Sequence, residues 1–169
     1  MKPILFVDRD GTLIEEPADR VCDRYDKLEL LPGVIRALQD ITAAGWDLVI
    51  VTNQDGLGER YSWEDFNGPH NLMLSIFETQ GVTFRDVFID TTYKAEGAHT
   101  RKPFTGLVDH LRDDPSIDWS RSAMVGDRIT DAEFGQNLGI RAFVLASRDP
   151  RLNAGDWTWP AIRDELLTW

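Results

Sequence analysis

A single cysteine, Cys22, stands in the 169 residues. An internal disulfide is therefore excluded, and a lone thiol carries no metal-ligand spacing, so Cys22 reads as a small, partly buried side chain. No apolar run approaches the roughly 20 residues that a membrane span requires, which argues against a membrane partner. The first residues also lack the charged head, apolar middle and small-residue cleavage site of a secretory signal, so the cytoplasm is the expected compartment. Basic residues are few: 18 Lys and Arg stand against 29 Asp and Glu, for a formal charge of −11. Such a chain repels a phosphate polymer at long range and has no basic run to offer local relief, so no nucleic acid is expected as a partner. Repeats, low-complexity segments and linkers are missing too.

What is present suits one soluble globular domain over residues 1–169, with 42% hydrophobic and 28% charged residues. Five short apolar runs, at 4–7, 48–51, 87–89, 123–125 and 142–145, alternate with helical patterns. Val34, Leu38 and Ile41 recur at helical spacing between Gly33 and Gly45. Leu72, Ile76 and Phe77 do so before Gly81, and Leu107 and Leu111 before Asp113-Asp114-Pro115. Thr130 with Glu133 reads as a capping box opening a helix that Gly139 ends, and Pro160 as the first residue of a closing helix through Leu167. The βαβα order predicts an α/β fold with a doubly wound, Rossmann-like parallel sheet. Three polar, irregular stretches, 14–31, 53–71 and 90–104, follow strands. They should gather at one sheet edge as functional loops, a minimal cap made of loops.

The first run ends in Asp8-Arg9-Asp10-Gly11-Thr12. Ligands of open α/β sheets bind beyond the carboxyl ends of strands, and residues two apart on a strand face the same way. Asp8 and Asp10 can then share a crevice while Arg9 faces elsewhere. Alone, this is also an ordinary polar strand end with an Asp-Gly turn. Its companions are Thr52-Asn53-Gln54 after the second strand, Arg101-Lys102-Pro103, and Gly126-Asp127-Arg128-Ile129-Thr130-Asp131 after the fourth. The four groups fall in that order on successive strand ends.

This ordered set resembles the haloacid dehalogenase-like phosphohydrolases over essentially the whole chain. Within them it is most similar to the histidinol-phosphate phosphatases, through 52–58, 66–73 and 23–28. The resemblance implies a small phosphorylated substrate, bound Mg2+ and hydrolysis of histidinol phosphate in histidine biosynthesis. It also implies that the chain stands alone or is fused to, or cut from, a dehydratase partner domain.

The physical roles can be stated beside that resemblance. Asp8 can attack phosphorus and form an aspartyl-phosphate, splitting hydrolysis into two displacements. Two unit charges about 4 Å apart repel by roughly 4 kcal/mol at an effective dielectric of 20, and a phosphate dianion meets about twice that. A magnesium ion bridging Asp8 and a phosphate oxygen removes this cost. Asp127 is the best further ligand, Asp131 supports the metal's waters, and the resemblance implies the Asp10 carbonyl oxygen as another. Lys102 adds positive charge, Thr52 and backbone N–H groups hold phosphate oxygens, and Asp10 carries the proton to the leaving alcohol and from the attacking water. A buried ion-pair network without turnover, or a phosphate-binding scaffold, is the non-enzymatic alternative.

An ammonium and an imidazole on the substrate call for acids away from the phosphate, and Glu16 and Asp55 are the candidates, with Glu15 as a substitute for Glu16. Asn53, Gln54 and Arg101 join them as candidate substrate-binding residues. Members of this family often carry a zinc loop, Cys-x-His-x5-Cys-x-Cys, before Arg-Lys-Pro. Here those four positions hold Asp90, Thr92, Ala98 and Thr100. No thiolate remains, so no zinc is expected. His70 and His110 read as helix-surface or partly buried side chains. Trp157, Trp159 and Trp169 should pack the final helix or meet another copy. The enzymatic alternative is a related phosphatase for a sugar bisphosphate such as D-glycero-D-manno-heptose 1,7-bisphosphate.

Overall fold

The computed structural model describes residues 1–146 and 155–169. Five parallel strands form one sheet: β1 (Ile4–Val7), β2 (Asp47–Asn53), β3 (Asp86–Asp90), β4 (Ala123–Gly126) and β5 (Arg141–Val144). Their order is β3-β2-β1-β4-β5. The chain runs outward from β1 to β3, then returns to the other side of β1, so the doubly wound expectation is met. The topological switch lies between β1 and β4, where loops leave in opposite directions and open a crevice.

Both faces of the sheet are covered, as the fully apolar β1 demands. Leu5 and Val7 point into one core with Leu48, Ile50 and Val125, while Ile4 and Phe6 point into the other with Val49, Val51 and Met124. Helices α1 (Val34–Ala43), α2 (Trp63–Thr79) and α4 (Trp159–Leu166) pack on the first face and α3 (Ile129–Leu138) on the second. The tryptophans secure α4. Trp159 is buried and donates to the Thr12 carbonyl at 2.8 Å, Trp157 meets Phe143, and Trp169 meets Trp46.

Four expectations are corrected. Helix α2 starts at Trp63, inside the stretch 53–71 read as irregular, and continues through Pro69. Phe66, Pro69, His70, Met73 and Phe77 are all buried at helical spacing, and that packing overrides the low helix propensity of Asn67-Gly68-Pro69. The Leu107–Leu111 pattern yields only a 3-10 segment, Asp109–Asp113, because Asp114-Pro115 stops it after one turn. Helix α3 is capped by Asp131 rather than by Thr130 and Glu133: its Oδ2 accepts from the backbone N–H groups of Asp127 and Arg128, each at 3.1 Å. α4 begins one residue earlier than expected, with Pro160 second and Thr158 as its cap. No helix among the described residues is long and apolar enough to cross a membrane.

Candidate active site

β1 and β4 deliver Asp8 and Asp127 side by side, and the first turn of α3 adds Asp131. All three are buried, and one carboxylate oxygen from each lies within 4.8 Å of the others. Two glycines make this approach possible. Gly11 turns at φ +77°, and a Cβ there would lie 2.2 Å from Asp127 Oδ2; a Cβ on Gly126 would lie 2.2 Å from Asp131 Cγ. Lys102 enters from the third loop, its Nζ 2.7 Å from Asp8 Oδ1 and 2.8 Å from Asp131 Oδ1.

The charges do not balance. Burial opposes the Lys102 ammonium, but Asp131 and Asp8 outweigh it and hold the lysine protonated. Burial raises the Asp8 carboxyl, with Asp131 adding to the rise and Lys102 opposing it. Asp127 is pushed up to about 9, first by burial and then by Asp8 and Asp131, and its Oδ1 has no hydrogen-bond partner. Three buried carboxylates share one buried ammonium, and the Arg128 guanidinium comes only to 3.9 Å of Asp127 Oδ1, too far for a hydrogen bond; this surplus of negative charge fits a bound cation, whose charge would restore the ionised form of Asp127.

Asp10 lines the same cleft at a second level. Its carboxylate accepts from Gln54 Nε2 at 2.6 Å and from Arg9 Nη1 at 3.0 and 3.2 Å. The expectation that Arg9 faces elsewhere is thus corrected: its stem leaves the strand away from Asp8, but the fully buried guanidinium curls back to Asp10, over the Phe66 ring and against His70 Nδ1. A cation between two strand-end acids was the available sequence signal. His70 is buried, and burial together with Arg9 lowers it to about 4, so it stays neutral and accepts. Thr52 is the last residue but one of β2, buried beside Gln54.

Loops from all three irregular stretches line a cavity of about 820 Å³ over Asp8, Asp10 and Asp131. Glu16, Asn53, Asp55 and Arg101 reach its wall, each already engaged. Glu16 pairs with Arg128, which sequence reasoning missed because 112 residues separate them. Asp55 accepts from Arg101 at 2.5 and 3.3 Å. Asn53 exchanges two 3.1 Å hydrogen bonds with the Lys102 backbone, fixing the lysine's root. Gln54 does not reach the cavity wall; it lies buried beneath it. Arg20, Arg60 and Lys94 add positive charge at the wall.

The loop that carries Lys102 is tied by one buried carboxylate. Asp90 Oδ1 accepts from the Thr92 N–H and hydroxyl at 2.9 and 2.5 Å, and Oδ2 accepts from the Thr100 hydroxyl at 2.6 Å. Three of the four positions at which the sequence resemblance implies zinc ligands therefore form a hydrogen-bonded clip. With one carboxylate, no thiolate and both oxygens occupied, this donor set does not fit tetrahedral zinc.

The family model of haloacid dehalogenase-like hydrolases matches residues 5–139. The chain belongs to the haloacid dehalogenase-like hydrolases. Among its relatives, this hydrolase is 54% identical to the histidine biosynthesis bifunctional protein HisB of Stenotrophomonas maltophilia (strain R551-3), over 98% of the chain and 46% of that protein. It is 56% identical to the protein of the same name from Xanthomonas campestris pv. campestris (strain B100), over 98% and 44%. The chain thus spans less than half the length of these curated relatives. In structure it is similar to the D,D-heptose 1,7-bisphosphate phosphatase of B. bronchiseptica, determined with magnesium and phosphate, with a TM-score of 0.83, 23% identity and 99% coverage of both chains. At that identity the likeness speaks for the fold.

Proposed function

We propose that this hydrolase is a Mg2+-dependent phosphomonoesterase that converts histidinol phosphate to histidinol and phosphate in the cytoplasm, and that residues 1–169 form its catalytic domain. The observation that carries the reading is the buried Asp8–Asp127–Asp131 cluster around Lys102 at the switch point of the sheet. The names of the relatives supply the pathway. Those relatives are bifunctional and about twice as long, which supports a companion domain; a dehydratase is the one the sequence resemblance implies.

In the first displacement an Asp8 oxygen forms a bond to phosphorus, the ester P–O bond breaks, and the departing alkoxide takes a proton from Asp10. In the second, Asp10 takes a proton from water, the resulting oxygen bonds to phosphorus, and the Asp8–phosphorus bond breaks, restoring both acids. Lys102 holds Asp8 and offsets charge on the transferring group, and the Thr52 hydroxyl serves a phosphate oxygen. Asp8 and Asp127, with the Asp10 carbonyl, would hold the metal ion, with Asp131 behind them; when bound it supplies positive charge that neutralises the phosphoryl oxygens. Glu16 and Asp55 keep lone pairs for the substrate's ammonium or imidazole beside their arginines, and Asn53 and Arg101 shape the wall.

One observation favours a second reading. Arg20, Arg60 and Lys94 at the cavity wall suit an anion away from the scissile group, as in D-glycero-D-manno-heptose 1,7-bisphosphate. Phosphate release from the two substrates at equal concentration decides: a higher kcat/KM for histidinol phosphate is expected, and a preference for the bisphosphate overturns the assignment. Absence of release from any monoester removes the phosphatase reading itself.

A further inference from the structure

Gln54 is buried beneath the cleft and makes three side-chain hydrogen bonds of mutually consistent polarity. Its Nε2 donates to Asp10 Oδ2 at 2.6 Å and to Thr52 Oγ1 at 2.9 Å, while its Oε1 accepts from the Tyr61 hydroxyl at 2.7 Å. A primary amide has two N–H donors on one side and an acceptor on the other, so its orientation decides whom it can serve. Neither Asp10, as a carboxylate, nor a Thr52 oxygen whose hydrogen points elsewhere can face the amide oxygen without repulsion. Tyr61, half-buried and packed 6.5 Å from Phe66, closes the other end: its hydroxyl donates to the amide oxygen and leaves both N–H groups for Asp10 and Thr52.

We infer that Gln54, oriented by Asp10 and anchored by Tyr61, is a positioning residue that sets two working groups at once: it holds the Asp10 carboxyl and leaves the Thr52 hydroxyl hydrogen free to be donated. The inference rests on the reading of Asp10 as proton carrier. By accepting from Gln54, Thr52 Oγ1 is left with its own O–H to donate, which is what a phosphate oxygen requires. A second donor steadies Asp10, since Arg9 reaches both its oxygens from the buried side. Arg9 is itself tied to His70, so the network runs from α2 through β1 to the loop after β2. Neither Gln54 nor Tyr61 is among the residues lining the cavity, so both act through their neighbours.

The test uses two monoesters that differ in how much they need a proton on the leaving oxygen. An alkyl phosphate such as histidinol phosphate needs it, whereas 4-nitrophenyl phosphate departs as a stable anion. Gln54→Leu should lower kcat/KM for the alkyl ester by about 100-fold, the lower end of what general acid catalysis supplies. For the aryl ester the loss should stay below about tenfold, the share of one hydrogen bond from Thr52. Tyr61→Phe keeps the ring and should shift the same ratio in the same direction by about three- to tenfold, and it carries the test alone if Gln54→Leu does not fold. Equal losses on both esters in the folded variants overturn the inference. Asp10→Asn is run alongside: if it shows no leaving-group dependence, the proton-carrier reading itself has failed, whereas dependence in Asp10→Asn without it in the Gln54 and Tyr61 variants removes only the positioning role.

Discussion

The inner and outer levels of the cleft are both made of acids and bases, but they are assembled by opposite rules. Outside, each acid has one arginine: Glu16 with Arg128, and Asp55 with Arg101. These pairs are partly open to solvent, and pairs of that kind contribute about 0–1 kcal/mol. Inside, three carboxylates share one buried ammonium, with Arg128 from the rim no nearer than 3.9 Å to Asp127, and the side chains of Lys102, Asp127 and Asp131 are only 2–3% exposed. A protein selected only for stability would not bury unmatched charge, since each uncompensated group costs several kcal/mol. On the proposed function, the imbalance marks the place of a cation and a reacting phosphoryl group, and the balanced rim the place where selectivity is adjusted.

The largest test of the contrast is Asp8→Asn. It keeps size and removes the nucleophile, and phosphate release should fall by about 10⁴-fold or more. A variant that retains even a tenth of wild-type turnover would dismiss Asp8 as phosphoryl acceptor.

Metal removal probes the imbalance itself. In the metal-free protein Asp127 holds its proton up to about 9 when folded but releases it near 3.8 when unfolded. The folded state then binds the extra proton, so stability is full below the unfolded value and is lost as pH rises toward 9. Chelated protein should melt at a lower temperature at pH 9 than at pH 6, and Mg2+ should abolish most of the difference and restore activity. A melting temperature independent of pH in the chelated protein contradicts the charge accounting. His70 gives the opposite slope: lowered to about 4, its contribution is present above 6.5 and lost as pH falls through 4.

Asp90 lies between the two levels. Asp90→Ala strips three donors of their acceptor, and a loss of about 2 kcal/mol is expected. In a chain of this length that is about 4–8 °C in melting temperature. Activity should fall with it, because the same loop presents Arg101 and Lys102. Unchanged melting would mean that the clip does not hold the loop.

How much of this could be read from residues alone follows the same division. The inner level was legible because β1, β2 and β4 are apolar runs whose ends are fixed by the sheet, so Asp8, Thr52 and Asp127 had to converge. Asp131 was placed in the cluster, but its second duty as cap of α3 was hidden behind the more usual Thr130–Glu133 pattern. The outer level was legible only in part: Glu16, Asn53, Asp55 and Arg101 reach the wall, but their partners could not be read. Glu16 and Arg128 are distant in sequence, and no local periodicity announces such a pair. Arg9 was misjudged because strand alternation predicts where a Cβ points, not where a long guanidinium ends. The first half of α2 was obscured by Asn67-Gly68-Pro69, whose propensity yields to the burial of Phe66 and Met73.

The smallest effect concerns the rim. Glu16 is neutralised by Arg128, so its charge is not free for the substrate in the way an unpaired acid would be. A carboxylate nevertheless has about four lone-pair sites, and one arginine leaves room for a further donor. Glu16→Gln should therefore raise KM for histidinol phosphate by about threefold to tenfold, the worth of one partly solvated charge-assisted hydrogen bond, with kcat unchanged. KM for 4-nitrophenyl phosphate, which has no ammonium or imidazole, should stay within about twofold, since nothing on it meets Glu16. Equal rises for both esters would show that Glu16 serves only to hold Arg128, and recognition of the distal group would then pass to Asp55, which also lines the cavity.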